Sequence, residues 1–183
     1  EESKKSSGQD ICESKVSPGV KPNGAVLELL RPHTSIRCRI PKGSGTNVAI
    51  VLRVSGGSSI IGEDLSNEQI TVSIKDAIKL NASALAMSVF VGSKYEQQTI
   101  VNLGKLVNEA VEYDIPVLAV TAVGKEIGQK DARYLSLACR IAAEQGAHIV
   151  KTYYCENFEK VVESCPVPII VAGGKKIPER DAL

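Results

Sequence analysis

The sequence predicts an α/β protein built on a parallel sheet, and three observations support this prediction. From Asn47 onward, short apolar runs rich in β-branched residues alternate with amphipathic segments at roughly thirty-residue spacing. The runs are continuously apolar, as expected for parallel strands that are covered on both faces. Their carboxyl ends carry Gly, Ser, Thr and Lys, where parallel α/β folds place their functional groups. These observations allow either an open sheet or a closed barrel.

Each apolar run predicts one strand, and each amphipathic segment predicts the helix that follows it. The predicted strands are 48–54, 84–91, 116–120, 148–151 and 168–172. The predicted helices are 73–80, 95–113, 131–145 and 157–164. Gly146 is expected to end the third helix as a left-handed residue, and Asn157 is expected to cap the fourth. A further helix is expected to open near Pro178.

The first quarter of the chain lacks this pattern. Residues 1–24 are rich in Ser, Lys, Glu, Gly and Pro, which predicts a disordered or irregular segment. Residues 25–46 are undecided, because their first apolar run fits a strand or a short helix and several Pro and Gly residues follow it. The domain proper is therefore expected to span 47–183, and the chain is expected to be a truncated form of a longer protein.

Composition excludes several classes of function. The 22 basic and 21 acidic residues are interspersed and give a net charge of +1, which argues against a nucleic-acid or membrane partner. The cysteines are odd in number and lack metal-ligand spacing, so we expect no metal and a reduced, cytoplasmic setting. They are Cys12, Cys38, Cys139, Cys155 and Cys165.

The strand ends supply the candidate site residues. In chain order they are Arg53 with Ser55, Gly92 with Ser93, Thr121 with Ala122, Lys151 to Tyr153, and Gly173 with Gly174. A lysine at a buried strand end either pairs with an anion or, when neutral, forms an imine with a ketone. Spacing alone also fits a structural lysine whose ammonium reaches water. A Gly-Gly turn can offer backbone N–H groups to a phosphate, although such pairs also serve as tight turns.

Two stretches carry a family resemblance that separates these alternatives. The run AAEQGAHIVKTYY at 142–154 and the run CPVPIIVAGGKK at 165–176 resemble the Schiff-base class I aldolases of the archaeal and bacterial fructose-bisphosphate aldolase type. Within that family they are most similar to the branch that acts on phosphorylated autoinducer-2. The runs VLRVSGGSS at 51–59 and VGSKYE at 91–96 support the same resemblance.

The resemblance implies a parallel (β/α)8 TIM barrel, of which this chain would hold about five strands out of eight. It implies that Lys151 is the catalytic, imine-forming lysine and that Gly173 and Gly174 hold the substrate phosphate. Arg53 and Thr121 are expected to line the pocket, and Tyr153 is a candidate proton donor. The expected partners are a small phosphorylated ketone or dione and further copies of the chain in a homo-oligomer, with no bound cofactor.

The chain departs from the family pattern at several positions, and these departures bear on which reaction is expected. Ala122 stands where the sugar-phosphate aldolases carry a tyrosine acid/base, which favours acyl transfer to coenzyme A as a co-substrate over aldehyde release. The Asp-His-Gly and Gly-Arg-Asn segments of the family are not found in the chain. The alternatives are a class I aldolase acting on a sugar phosphate and a non-catalytic partial barrel that serves as an interaction or phosphate-binding module.

Overall fold

The computed structural model describes residues 27–30, 49–59, 61, 64–121 and 131–172, the first of these ranges by its backbone alone. Its strands are β1 Leu27–Leu30, β2 Ala49–Arg53, β3 Ser55–Gly56, β4 Gln69–Ile70, β5 Ala84–Val89, β6 Val117–Thr121, β7 Ile149–Tyr153 and β8 Ile169–Ala172. Its helices are α1 Ile74–Lys79, α2 Glu96–Val111, α3 Ala132–Glu144 and α4 Phe158–Ser164. The irregular segment predicted over 1–24 and the helix predicted near Pro178 lie outside the described residues.

Six of these strands form one parallel sheet in the order β1-β2-β5-β6-β7-β8. Each strand lies beside its predecessor in the chain, so the order contains no reversal. A doubly wound open sheet reverses direction at a switch point, whereas a (β/α) barrel adds its strands in sequence. The observed order is therefore of the barrel type.

The described helices all pack on one face of this sheet. Ile74 of α1, Leu106 of α2, Leu135 of α3 and Val161 of α4 belong to one buried cluster that also contains Met87 of β5. Right-handed crossovers that always step to the next strand in the same direction place every helix on the same side. This face is called the helix-covered face below.

The opposite face, called the inner face, carries a smaller apolar cluster. Val51, Ala84, Ala86 and Leu118 are almost fully buried there. Their strands therefore bury side chains on both faces, which explains why the sequence shows continuous apolar runs without polar alternation. In a barrel this inner face is the side that points to the barrel axis.

The structure settles three of the local predictions. The undecided run at the start of segment 25–46 contains a strand, β1, whose four residues all pair with β2. Gly146 follows α3 with φ of 91°, which confirms the predicted left-handed residue at the helix end. Asn157 occupies the N-cap position of α4, as predicted, but its side chain makes no capping hydrogen bond. Asn157 instead adopts φ of 57°, a left-handed conformation that asparagine tolerates well.

Gly146 gives a direct test of the packing between α3 and α2. A Cβ built on Gly146 would lie 2.8 Å from Val107 Cγ1, and the positive φ adds backbone strain. We expect Gly146→Ala to lower the free energy of unfolding by about 2 kcal/mol, measured by urea denaturation. The control is Gly104→Ala in the interior of α2, where the added Cβ meets only the end of the Gln145 side chain at 3.3 Å. That change should raise stability by about 0.5–1 kcal/mol, and equal destabilisation by both variants would contradict the assignment.

Candidate active site

Lys151 is the middle residue of β7 and lies on the inner face, level with the last-but-one residues of β5 and β6. It pairs with Val120 of β6 on one side and Ile170 of β8 on the other. Both neighbours, and Ile149 two residues earlier in β7, pack against the inner apolar cluster. The lysine itself is partly buried.

The sheet register extends this row of residues to a polar side chain. Val120 pairs with Ser88 of β5, so Ser88, Val120, Lys151 and Ile170 occupy one level across four adjacent strands. Neighbouring strands lie about 4.8 Å apart, which places the Cα atoms of Ser88 and Lys151 roughly 10 Å from each other. Only Val120 separates them within the sheet.

Ser88 of this row belongs to a buried polar network, called the arginine cluster below. Its four members are Arg53, Ser55, Glu68 and Ser88. Arg53 Nη2 donates to Glu68 Oε1 and, at 2.6 Å, to Ser88 Oγ. Arg53 Nε donates to the Ser55 carbonyl at 3.2 Å. The Ser55 hydroxyl donates to Glu68 Oε2 at 2.6 Å and accepts from the Ser88 N–H at 3.0 Å. The guanidinium is therefore held at the level of Lys151.

The electrostatics of the cluster are those of a buried ion pair. The Glu68 side chain is 10% exposed and the Arg53 side chain 18%, so water screens their attraction poorly. Both carboxylate oxygens of Glu68 accept hydrogen bonds, Oε1 from Arg53 and Oε2 from Ser55. Glu68 thus anchors the arginine.

The short ladder of β3 with β4 brings Glu68 to this position. Gly56 pairs with Gln69 in antiparallel fashion, so the chain returns to β2 immediately after Glu68. The Gln98 side chain of α2 donates to the Glu68 carbonyl at 2.9 Å and fixes the same turn. Two separate elements therefore set the position of one carboxylate.

Thr121 lies on the other side of the sheet from the Lys151 side chain. Its hydroxyl lies 2.8 Å from Thr152 Oγ1, and Thr121 itself is 2% exposed. Neighbouring residues on a strand point to opposite faces, so Thr152 and its partner face the helices while Lys151 faces inward. We therefore leave Thr121 out of the proposed site.

Of the other predicted site residues, the structure describes some and leaves others outside its described ranges. The Tyr153 ring is partly buried and packs against the cluster on the helix-covered face, so its role as proton donor stays a prediction. Gly173, Gly174 and Ala122 lie outside the described residues, and the expected phosphate seat stays a prediction as well. His148 is a satisfied structural residue, because its Nδ1 accepts the Val117 N–H at 3.2 Å.

A cysteine thiolate is another side chain that could carry an acyl group, and the structure argues against Cys139 in that role. It is fully buried on the helix-covered face, and desolvation raises the pKa of its thiol to about 11. We expect iodoacetamide to leave Cys139 unmodified in the native chain and to modify it in urea, as read by peptide mapping. Rapid modification of the native chain would contradict this burial.

Two negative findings bound the site within the ranges that the structure describes. No group of three or more His, Cys, Asp and Glu side chains lies close enough to hold a metal ion among these residues. None of the helices described is long and apolar enough to cross a membrane.

Sequence reasoning named Arg53 and Ser55 but missed Glu68 and Ser88 as members of the site. Ser88 did leave a signal, since it is the one polar residue within the apolar strand β5. Glu68 left none, because it stands in a polar loop 15 residues from Arg53 and meets it only through the folded ladder. Both residues could be assigned to the site only once the pairing of the strands was known.

Comparison with known proteins agrees with this geometry. The family model described as "DeoC/LacD family aldolase" matches residues 33–182. The chain belongs to the DeoC/LacD aldolase family. This membership confirms the resemblance drawn from the runs around Lys151 and Gly173.

Curated relatives are about half identical to this chain over the residues that align. A protein of Enterobacter sp. (strain 638) named 3-hydroxy-5-phosphonooxypentane-2,4-dione thiolase is 56% identical over 149 residues, covering 81% of this chain and 49% of that protein. A protein of Photorhabdus laumondii with the same name is 49% identical over 163 residues, covering 84% of this chain and 55% of that protein. The chain thus spans about half the length of the curated relatives it matches.

Solved structures support the barrel assignment. A Schiff-base-forming fructose-1,6-bisphosphate aldolase matches with a TM-score of 0.68 and 25% identity, covering 76% of this chain and 57% of that one. An archaeal fructose 1,6-bisphosphate aldolase matches with a TM-score of 0.67 at the same identity and coverage. The described sheet is therefore a curled part of an aldolase-type TIM barrel, with its helices outside and Lys151 inside.

Proposed function

We propose that this protein cleaves a carbon–carbon bond in a small phosphorylated dione through an imine at Lys151 and passes the acyl group to the thiol of coenzyme A. The observation that carries the proposal is the position of Lys151, on the inner face and level with the carboxyl ends of the neighbouring strands β5 and β6, in a chain 56% identical over 149 residues to a protein named for this thiolase reaction. The catalytic edge of a TIM barrel is the same edge.

The chemistry follows from the properties of an imine. The neutral Lys151 amine condenses with one ketone of the substrate, water leaves, and the iminium that forms withdraws electrons from the adjacent bonds. A thiolate, whose proton has passed to solvent, adds to the neighbouring carbonyl carbon and gives an alkoxide. The alkoxide re-forms the carbonyl as the carbon–carbon bond breaks, and the bonding pair moves into the iminium to give an enamine. Protonation of the enamine and hydrolysis of the imine return the amine.

The surroundings of Lys151 support the first of these steps. Only the neutral amine is a nucleophile, and an apolar environment disfavours the ammonium form of lysine. Val120 and Ile170 flank Lys151 in the sheet and pack against the inner apolar cluster.

The remaining parts of the proposal rest on the family resemblance. Backbone N–H groups at Gly173 and Gly174 are proposed to hold the substrate phosphate, as a Gly-Gly turn before a helix is suited to do. Tyr153 is proposed as a proton donor to the enamine. A cytoplasmic location and a homo-oligomeric state complete the proposal and await measurement.

A second candidate function is a class I aldolase that releases an aldehyde from a sugar phosphate. The solved neighbours named as fructose-bisphosphate aldolases favour it. The alanine at position 122, where the sugar-phosphate aldolases carry a tyrosine, disfavours it. The two functions differ in whether coenzyme A is required.

The test is to incubate the chain with 3-hydroxy-5-phosphonooxypentane-2,4-dione and follow thioester formation by mass spectrometry, with and without coenzyme A. The proposal predicts a thioester only when coenzyme A is present, and no product from Lys151→Ala. Fructose 1,6-bisphosphate cleavage that is independent of coenzyme A would favour the aldolase alternative. A folded chain that turns over neither substrate would refute both.

A further inference from the structure

The arginine cluster lies on the inner face, where Arg53 pairs with Ala86, and it contains N–H donors that the reaction outlined above leaves unused. Arg53 carries five N–H donors in a rigid plane. Nε and Nη2 are occupied by Ser55, Glu68 and Ser88, as described, whereas no contact of Nη1 is found among the described residues. The Arg53 side chain also keeps 18% of its surface exposed, so the plane is not completely enclosed.

The register places this donor within reach of a ligand bound at Lys151. The Arg53 guanidinium lies 2.6 Å from Ser88 Oγ, and Ser88 shares its level in the sheet with Lys151. The gap of roughly 10 Å between these two strand positions is spanned jointly by the long lysine side chain and a ligand of a few carbon atoms. A ligand held by Lys151 would lie over Val120 with its far end at the guanidinium.

The charge state of the cluster indicates which part of a ligand it binds. Glu68 offsets the charge of Arg53, so the pair as a whole is neutral and is a poor seat for a doubly charged phosphate. Its remaining N–H groups suit a carbonyl oxygen that becomes an alkoxide during the reaction, since preorganised donors aimed at developing charge act strongly in a site from which water is excluded. The contacts to Ser55, Glu68 and Ser88 supply that preorganisation.

We infer that Arg53 binds the second carbonyl oxygen of the dione and stabilises the alkoxide formed when the thiolate adds to that carbonyl. Glu68, Ser55 and Ser88 are positioning residues that hold the guanidinium plane. This inference rests on the proposed function, since it assigns a donor to the second of its steps. It also makes Arg53 a determinant of specificity, because a substrate with a single carbonyl has no oxygen for it to bind.

The test separates imine formation from acyl transfer in the variant Arg53→Met with Glu68→Gln. The double change removes both charges together, so that no buried charge is left unpaired. Thioester formation from the dione should fall about 100-fold in kcat, as for the loss of one oxyanion donor. Borohydride trapping of dihydroxyacetone phosphate, which has one carbonyl, should stay within about tenfold of wild type, because Arg53 takes no part in it. The control Leu118→Met, a volume-conserving change on the inner face, should leave the ratio of the two rates unchanged.

Each outcome decides between the inference and the proposed function. A folded double variant that forms thioester at the wild-type rate overturns the role of Arg53 and leaves the imine at Lys151 standing. Equal losses of trapping and of thioester formation show a purely structural role and also overturn it. A wild-type chain that neither traps nor transfers refutes the proposed function itself, and the inference with it.

Discussion

We expect the replacement of Lys151 by arginine to abolish turnover of a carbonyl substrate while the chain stays folded. Arginine keeps the positive charge and the long stem, but its guanidinium stays protonated and forms no imine at neutral pH. We expect kcat to fall at least about thousandfold, which corresponds to about 4 kcal/mol of transition-state stabilisation. The measurement is steady-state kinetics on the dione with coenzyme A, beside a urea unfolding curve of the same variant.

Lys151→Ala separates the imine from an ionic role of the same side chain. If Lys151 acts by forming an imine, alanine and arginine variants lose activity equally, because neither carries an aliphatic amine. If Lys151 serves only as a cation that binds the phosphate, arginine should retain much of the activity. A Lys151→Arg variant within tenfold of wild type would therefore contradict the covalent mechanism.

Removing Glu68 should produce the largest loss of stability among single changes at the site. Glu68→Ala leaves the Arg53 guanidinium largely buried without its carboxylate, and breaking a buried pair from one side is costly. We expect the free energy of unfolding to fall by about 3 kcal/mol, measured by urea denaturation. Because Ser55 also donates to Glu68, the same change leaves a buried hydroxyl without its acceptor.

The chain provides a matched control for this prediction in α3. Arg140 and Glu144 form an ion pair of 2.6 Å whose side chains are 56% and 57% exposed. Glu144→Ala should cost about 0.5 kcal/mol or less, since exposed pairs are screened by water and salt. If Glu68→Ala and Glu144→Ala changed stability equally, the arginine cluster would not be the buried network that the structure describes.

Periodicity predicted most of the described fold because its strands are buried on both faces. The five runs from 48–54 to 168–172 became β2, β5, β6, β7 and β8, with ends that differ by one or two residues. Periodicity could not choose between an open sheet and a barrel, because apolar strands look alike in both. The strand order and the packing of the described helices on a single face identified the sheet as part of a barrel. Both are properties of the folded sheet and not of any one strand.

The sequence predicted Lys151 but not the partners of Arg53. Lys151 stands out in sequence because a charged residue directly follows a run of apolar residues. The partners of Arg53 could not be read in the same way, since Glu68 and Ser88 lie 15 and 35 residues away and reach it through the β3–β4 ladder and the pairing of β2 with β5. Thr121 shows the limit of reading strand ends alone, because being near an end does not tell which face a side chain occupies.

The most direct measurement of the central claim is borohydride trapping with dihydroxyacetone phosphate, followed by intact mass and peptide mapping. The account predicts one covalent adduct per chain, located at Lys151 and lost in Lys151→Ala. An adduct on another lysine, or no adduct in a chain that unfolds cooperatively in urea, would contradict the assignment of Lys151 as the imine-forming residue.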